Sequence, residues 1–576
     1  PLVSLQHPLF WIDYTRIFTG KSSSYDVSQQ PAVDVIQANF EIGRFKMDVL
    51  ICGGQVIDGS GREPVKADLL IRGERIEEIG RLPSELSDKV QTVIDATGLI
   101  VAPGFIDAHG HTAYELLVEP SAESKVAQGI TTEISGNCGF SPGPLLIEPL
   151  QRERNEWCSR YGVEVRWQKI GEFLDILESQ GIGYNYATLV GHGVIRADVI
   201  GYEARPPRGD ELNRMKYLLE EALEQGAIGM SSGLFYPPGS YSKIDELISL
   251  CKVLRKFGGV YATHMRDEGD NLIESVREAI ETARGSGVPL QISHHKATRK
   301  RNWGKVKRTL PMIEKANAQG LDVSCDQYPY IAGATSLKML IPKWAHEGGD
   351  KRLLQRLCEP DALEKIRSYL EDLYPTRDEW HTVMVSEVVR EELKGFEGKR
   401  LDEIADELNT SPFDALIYLI RQDEARTSMI TFLMCEDDVI EVMRFPRTMF
   451  GTDGSVKGFR GKLKIGKPHP RCFGTFPRIL GRYVRQGGVI SLPEAIRRMT
   501  SFPARKFGLK ERGLIQLGYF ADIVIFDPDR IIDRGTYENP QQRPEGIYHV
   551  LVNGTPVILN GALTGALPGK VLRSRV

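Results

Sequence analysis

The hydrophobic pattern of the chain changes period along its length. Over residues 47–104, short apolar runs alternate with polar positions at a period of two. This predicts β-strands at Val49–Ile57 (around Gly53-Gly54), Ala67–Arg72, Arg75–Ile79 and Val93–Val101, with turns at Gly73 and Gly98. The far end reads the same way at Ala521–Phe526, Tyr548–Val552 and Pro556–Leu559, and Asn553-Gly554 between the last two runs is a strong hairpin signal. Neither β-rich end is long enough to bury a good core alone. Residues 47–104 and 505–576 are therefore expected to pack together as one small β-sandwich.

Between these ends, short apolar runs alternate with helical periodicity. The strand candidates are Gly104–His109, Thr131–Ser135, Tyr184–Gly191, Ala227–Ser232, Gly259–His264, Pro289–His294, Leu321–Gln327 and Thr448–Thr452. Amphipathic segments such as Asp210–Glu224, Asp245–Phe257, Asn271–Ser286 and Val306–Ala318 separate many of them. Eight strands in βα alternation predict an α/β fold, a TIM-like (β/α)8 barrel over residues 105–504. The long gap before the eighth strand carries its own helical pieces (Asp361–Tyr374, Leu401–Leu408, Phe413–Gln422) and is read as an insertion or lid over about 340–447. Residues 1–46 lack periodicity and precede the first methionine, Met47. They are expected to be a poorly ordered extension of the reading frame or part of a longer chain. The apolar stretch Leu9–Ile12 has no charged leader or cleavage site, so no secretory signal is assigned.

Composition narrows the function classes. There are 73 basic and 77 acidic side chains, a formal net charge of −4, which removes the electrostatic case for a nucleic-acid or membrane-surface protein. No run reaches the roughly 18–20 apolar residues that span a bilayer. The eight cysteines include no C-x-x-C pair, so a reduced, cytoplasmic setting is expected and a special cysteine reads as a ligand rather than a disulfide partner.

In a barrel, chemistry gathers at the C-terminal strand ends. The first strand ends in Asp107-Ala-His109-Gly-His111, the second near Asn137-Cys138, the fifth in Thr263-His264, the sixth in His294-His295-Lys296 and the eighth in Thr452-Asp453. Imidazole, thiolate and carboxylate are the donors a zinc-like ion prefers. H-x-H on an extended segment points both rings to one side. A lone buried histidine or cysteine is more often core packing, and an aspartate beside glycine is often a turn residue. The signal here is that four or five of only 11 histidines fall at strand ends.

The run Ala102-Pro-Gly-Phe-Ile-Asp-Ala-His109-Gly-His111 resembles the first-strand motif of the amidohydrolase superfamily. Gly136-Asn-Cys138-Gly-Phe-Ser, Gly226–Pro238, Ile292–Lys296, Asp326-Gln-Tyr-Pro-Tyr330 and Phe450–Ser455 resemble its N-acyl-D-amino-acid deacylase branch, over about Met47 to the C-terminus. The resemblance implies a zinc-dependent enzyme that cleaves the amide of a small N-acyl-D-amino acid. His264, His294 and Cys138 would hold the tighter zinc, and His109, His111 and Asp453 a weaker second position. By the same resemblance, Cys138 is the deacylase branch's replacement for the lysine or glutamate that other amidohydrolases carry on the fourth strand, where this sequence has Met230-Ser231-Ser232. His294 and His295 compete for one ligand place, and the motif match favours His294. Asp453 would take the water proton and return it to the leaving amine.

For the substrate α-carboxylate, Lys296 lies two residues past His294, on the same side of an extended segment, and the resemblance gives it this role. Arg471 is a second candidate, suited to bidentate contact. Tyr236, Tyr330 and Ser336 match positions that line the pocket. The basic run Arg299-Lys300-Arg301 is read as an exposed loop, with a preference for acidic side chains such as D-Glu or D-Asp as the alternative. The alternatives are a cyclic amidase of dihydroorotase or hydantoinase type, against which the missing fourth-strand lysine counts, and a silent scaffold, which has no need of buried ligands.

Overall fold

The structure, a computed structural model, describes residues 48–574. The expected extension, residues 1–46, lies outside the described residues. Eight short parallel strands carry the fold: β1 (Phe105–Asp107), β2 (Ile130–Ser135), β3 (Asn185–Thr188, resuming at Val190–Gly191), β4 (Gly229–Gly233), β5 (Val260–His264), β6 (Leu290–Ile292), β7 (Val323–Gln327) and β8 (Thr448–Phe450). They form two parallel ladders, β1-β2-β3 and β3-β4-β5-β6-β7-β8, which share the interrupted third strand. Their side chains are buried throughout, as expected of parallel strands covered on both faces. Beyond the ladders, Ala108 N donates to Phe450 O at 3.2 Å and Asp453 N to His109 O at 2.8 Å, so the segments after β1 and β8 run side by side.

The helices between strands form because their apolar residues recur on one face. In Leu272–Ser286 the buried residues Leu272, Val276, Ala279, Ile280 and Ala283 make a stripe against the parallel strands. Gly287, at φ 74°, closes that helix with its N–H on Ala283 O, a left-handed position that suits glycine.

The chain ends meet in one sheet. Ile523–Phe526 runs antiparallel to Ile100–Pro103, with Ile523 opposite Pro103. Strands Ile547–Val552 and Thr555–Leu559 follow, joined by the Asn553-Gly554 turn with both φ values positive. A second sheet orders Arg75–Gly80, Asp68–Arg72, Asp48–Cys52 and Thr92–Asp95. Val49, Ile71, Ile94, Val101, Ile523 and Leu551 share one buried cluster across the two sheets. Two of the expected runs are divided between these sheets, at Gly53 and at Gly98, the expected turn. Val49–Ile57 turns at Gly53, and Val93–Val101 turns where Leu99 N bonds to Ala96 O, because each glycine there (Gly53 at φ 74°, Gly98 at φ 79°) redirects the chain.

Between β7 and β8 a three-stranded antiparallel sheet (Gly333–Ser336, Ser428–Thr431, Val383–Glu387) stands beside its own apolar cluster, which includes Leu337, Ile366, Leu370, Leu416 and Met429. Among the described residues no helix is long and apolar enough to cross a membrane.

Candidate active site

The strand ends bring the donor side chains together. Two sets of ligand atoms lie within 4.8 Å of one another: His109, His111, Cys138 and Asp453, and Cys138, His264 and His294. Cys138 belongs to both. Its sulfur lies 3.4 Å from His109 Nε2 and 3.3 Å from His294 Nε2. Asp453 Oδ1 is 2.9 Å from His111 Nε2 and 3.4 Å from His109 Nε2. Three of these residues stand in left-handed backbone, Cys138 at φ 54°, His294 at φ 34° and Asp453 at φ 49°. Such conformations cost energy for residues other than glycine and cluster at sites where geometry is imposed.

Local packing forces these positions. The loop after β2 that carries Cys138 is tied to β4, since Ser231 Oγ donates to Gly136 O and accepts from Gly139 N at 3.0 Å. A Cβ on Gly233 would stand 2.1 Å from the Cys138 carbonyl oxygen, so β4 must be bare there for the loop to settle. Likewise a Cβ on Gly451 would sit 2.5 Å from that of His109.

The doubled histidine is resolved by the backbone. β6 ends at Ile292, and the positive φ of His294 turns its ring into the cluster. His295 goes the other way, with Nε2 2.8 Å from Thr309 Oγ1 on helix Val306–Ala318. Burial holds the His295 ring's pKa down at about 4.

The electrostatics favour a charged donor set. Burial alone would raise the Cys138 thiol, but His294 and His109 outweigh it and hold the group well below its usual range, as a thiolate. Burial also opposes ionisation of Asp453, yet Arg471, His294 and His111 keep its carboxylate well below the ordinary value. Arg471 Nη1 lies 2.8 Å from Asp453 Oδ2, an ionic contact, and among the described residues this nitrogen makes no aligned hydrogen bond. Burial lowers His264, and its Nδ1 has no hydrogen-bond partner among the described residues.

The carboxylate candidates are arranged differently from one another. Lys296 reaches the cluster, but not by strand alternation, since the chain is no longer extended past Ile292. Its ammonium folds back onto His294 O, His294 Nδ1 and Glu268 Oε1, each at 2.7 Å. Arg471 lies over the Tyr328 ring at 4.6 Å. Tyr236 packs its ring 4.9 Å from that of His264. Tyr330 borders the cavity beside His294 and Lys296, but its ring lies under Arg478, and Tyr328 is the tyrosine that meets both Lys296 and Arg471. The Ser336 hydroxyl donates to Thr427 O at 3.4 Å, beside Thr335, whose hydroxyl donates to the Tyr236 hydroxyl at 3.3 Å. Arg299 lies over Tyr374 and Arg301 pairs with Asp270, so this basic run is engaged away from the donor cluster.

Three further residues act on the donors. Glu268 Oε1 lies 2.9 Å from His294 Nδ1. Asp326 Oδ1 accepts from His294 N at 2.7 Å and approaches His109 Nδ1 at 3.0 Å. Tyr328 supplies the ring under the two cations. Asp326 and Tyr328 sit in the quoted Asp326-Gln-Tyr-Pro-Tyr330 run. Glu268 lies in the loop after β5, where periodicity gives no signal.

An amidohydrolase family model matches residues 92–341 and 447–558 of the chain. The D-aminoacylase of Alcaligenes xylosoxydans xylosoxydans is 38% identical over 528 residues, covering 91% of this chain and 97% of that protein. The N-acyl-D-glutamate deacylase of the same organism is 35% identical over 528 residues, covering 92% and 97%. A crystal structure of an N-acyl-D-glutamate deacylase from Bordetella bronchiseptica, complexed with zinc and a phosphonate mimic of the tetrahedral intermediate, is similar at a TM-score of 0.76 and 33% identity, covering 92% of this chain and 100% of that one.

Proposed function

The chain belongs to the amidohydrolase family, and from that premise we propose that it is a zinc-dependent hydrolase of N-acyl-D-amino acids, releasing a carboxylate and a free D-amino acid. The observation that carries this reading is the shared cysteine sulfur. Cys138 joins two donor sets at the place where Met230, Ser231 and Ser232 of β4 provide no bridging lysine or glutamate.

The residues suit zinc. Cys138, His264 and His294 offer the sulfur and two nitrogens of a tight site, and His109, His111 and Asp453 complete a weaker one around the same sulfur. Among the described residues His264 Nδ1 makes no hydrogen bond, so none competes for that nitrogen. When bound, zinc supplies acidification of a water molecule and polarisation of the amide carbonyl. Asp453, ionised, accepts the proton of the attacking water and delivers it to the amine nitrogen, which must be protonated to leave. Arg471 holds Asp453 in place and, with Lys296, presents positive charge to the substrate α-carboxylate. Tyr330 borders the cavity and Tyr236 packs on His264, so these two tyrosines would wall the substrate.

The same reading proposes that the eight strands close into a (β/α)8 barrel over residues 105–504, supported by the hydrogen bonds of Ala108 and Asp453 across the seam. Residues 47–104 and 505–576 form the β-sandwich, about 340–447 the insertion, and the protein works in the cytoplasm on small molecules, without nucleic-acid or membrane partners. A cyclic amidase is the less favoured reading, because Ser231 is spent on the Cys138 loop and β4 gives no second bridging ligand.

A panel of N-acetyl-D-leucine, N-acetyl-D-glutamate, their L-enantiomers and hydantoin tests the assignment. Turnover of at least one D-substrate, with the L-forms and hydantoin slower, is expected. Preferential opening of hydantoin would overturn it.

A further inference from the structure

Lys125 has no part in the chemistry described above, yet its side chain is fully buried beneath the donor cluster. It comes from the short helix Glu123–Val126 that follows β1. Its ammonium donates to Asp107 Oδ2 at 2.7 Å, Thr452 Oγ1 at 2.9 Å and Gly454 O at 2.8 Å, and faces Glu133 Oε2 at 3.2 Å. Asp107 ends β1, two residues before His109. It accepts from Thr452 N at 2.8 Å and from the Thr452 hydroxyl at 2.7 Å. The residues on either side of Asp453 are therefore both fastened to one buried ion set.

Burying one cation with two carboxylates is costly, and apolar side chains of similar volume would hold three strand ends together as well. What apolar contacts do not supply is direction. Hydrogen bonds to Thr452 on one side and Gly454 on the other fix the rotation of the turn, and the turn's positive φ at Asp453 aims its carboxylate at His111 and His109. Glu133 extends the frame to the H-x-H segment, since its carboxylate accepts from Thr112 N at 3.0 Å and from the Thr112 hydroxyl at 2.9 Å.

We propose that Lys125 is a positioning residue for the reaction, which acts through Asp107 and Thr452 to hold the turn that aims Asp453. The proposal rests on the reading of Asp453 as zinc ligand and proton carrier.

Its test uses the full chain. Thr452→Val keeps the volume and removes the hydroxyl, Thr452→Ser restores the hydroxyl, and Lys125→Met removes the ammonium. Each is stripped of metal, titrated with zinc by calorimetry, and assayed on the best D-substrate of the panel. The cobalt-substituted forms are compared by visible absorption. Thr452→Val is expected to lose about 10- to 100-fold in kcat with little change in KM, to weaken zinc uptake by a similar factor, and to shift the cobalt spectrum. Thr452→Ser is expected to recover most of the loss, and Lys125→Met to repeat it. Where Lys125→Met does not fold, the Thr452 pair decides alone. A folded Thr452→Val with wild-type kcat, zinc affinity and cobalt spectrum overturns the proposal, as does a loss confined to KM. Asp453→Asn, run alongside, separates the two levels. If it turns over normally with zinc bound, the reading of Asp453 fails; if it is inactive while Thr452→Val is normal, only the positioning role fails.

Discussion

His294 shows how much of the site is decided within single residues. Its Nε2 faces Cys138 while its Nδ1 meets Glu268 and Lys296, so the ring is gripped from both sides. A carboxylate on the far nitrogen of a metal-binding histidine fixes the ring and raises its basicity. Burial and Lys296 work against protonation of His294, but Glu268 and Cys138 prevail and bring its pKa to about 9. Glu268→Gln keeps the shape and removes the charge. It is expected to weaken zinc binding by about 10- to 100-fold, as read by competition with a chromophoric chelator. Unchanged zinc affinity would deny Glu268 this role. The types and positions of the donors were legible in the sequence, because few histidines exist and they fall at strand ends. The choice of His294 over His295 came from the motif match alone, because it turns on a left-handed φ that no side-chain pattern reports. Lys296 teaches the same lesson, since alternation ends with β6 at Ile292 and its ammonium arrives by folding back.

At the scale of elements, β4 is the part that sequence reading undervalued. Gly229-Met-Ser-Ser-Gly233 offers no donor, yet it seats the loop that carries Cys138. Gly233→Ala would drive a methyl group to 2.1 Å from the Cys138 carbonyl oxygen. Overpacking of this kind costs about 1–3 kcal/mol, so a lower melting temperature is expected, together with substoichiometric zinc in the purified protein. A variant that melts and binds zinc normally would mean the loop is held by something other than its fit to β4. The strands themselves were legible from period-two and βα patterns. The turns at Gly53 and Gly98 were legible as glycines, but the assignment of the two halves to different sheets was not, because each half is apolar in the same way and only partner choice separates them. Tyr328 and Tyr330 lie two apart in one run, and only the packing of Arg471 and Arg478 over their rings tells which faces the cluster.

At the scale of the whole molecule, buried neutral histidines make stability depend on acid. His346, in the segment after the three-stranded sheet's first strand, is buried with Nε2 3.1 Å from Ile341 O. Burial, aided by Lys338, lowers its pKa from 6.5 to about 4. Between those values the unfolded chain binds a proton that the folded chain refuses, so stability falls as pH drops from 6.5 to about 4. His346→Gln is expected to flatten that part of the melting-temperature profile, and an unchanged slope would show that other groups set it. The alternation of apolar runs made the overall architecture readable, whereas the buried Lys125 set was not, because its partners lie 18 and 327 positions away in sequence.

The account as a whole stands on one ionic centre assembled from five strand ends. Its most direct test is the hydrolysis rate of the best N-acyl-D-amino acid by metal-stripped protein as zinc is added back. The predicted result is a rate that starts near background and saturates at about one equivalent of zinc per chain, through the water-activating role of the metal. Full activity in the stripped protein, indifferent to added zinc, would contradict it.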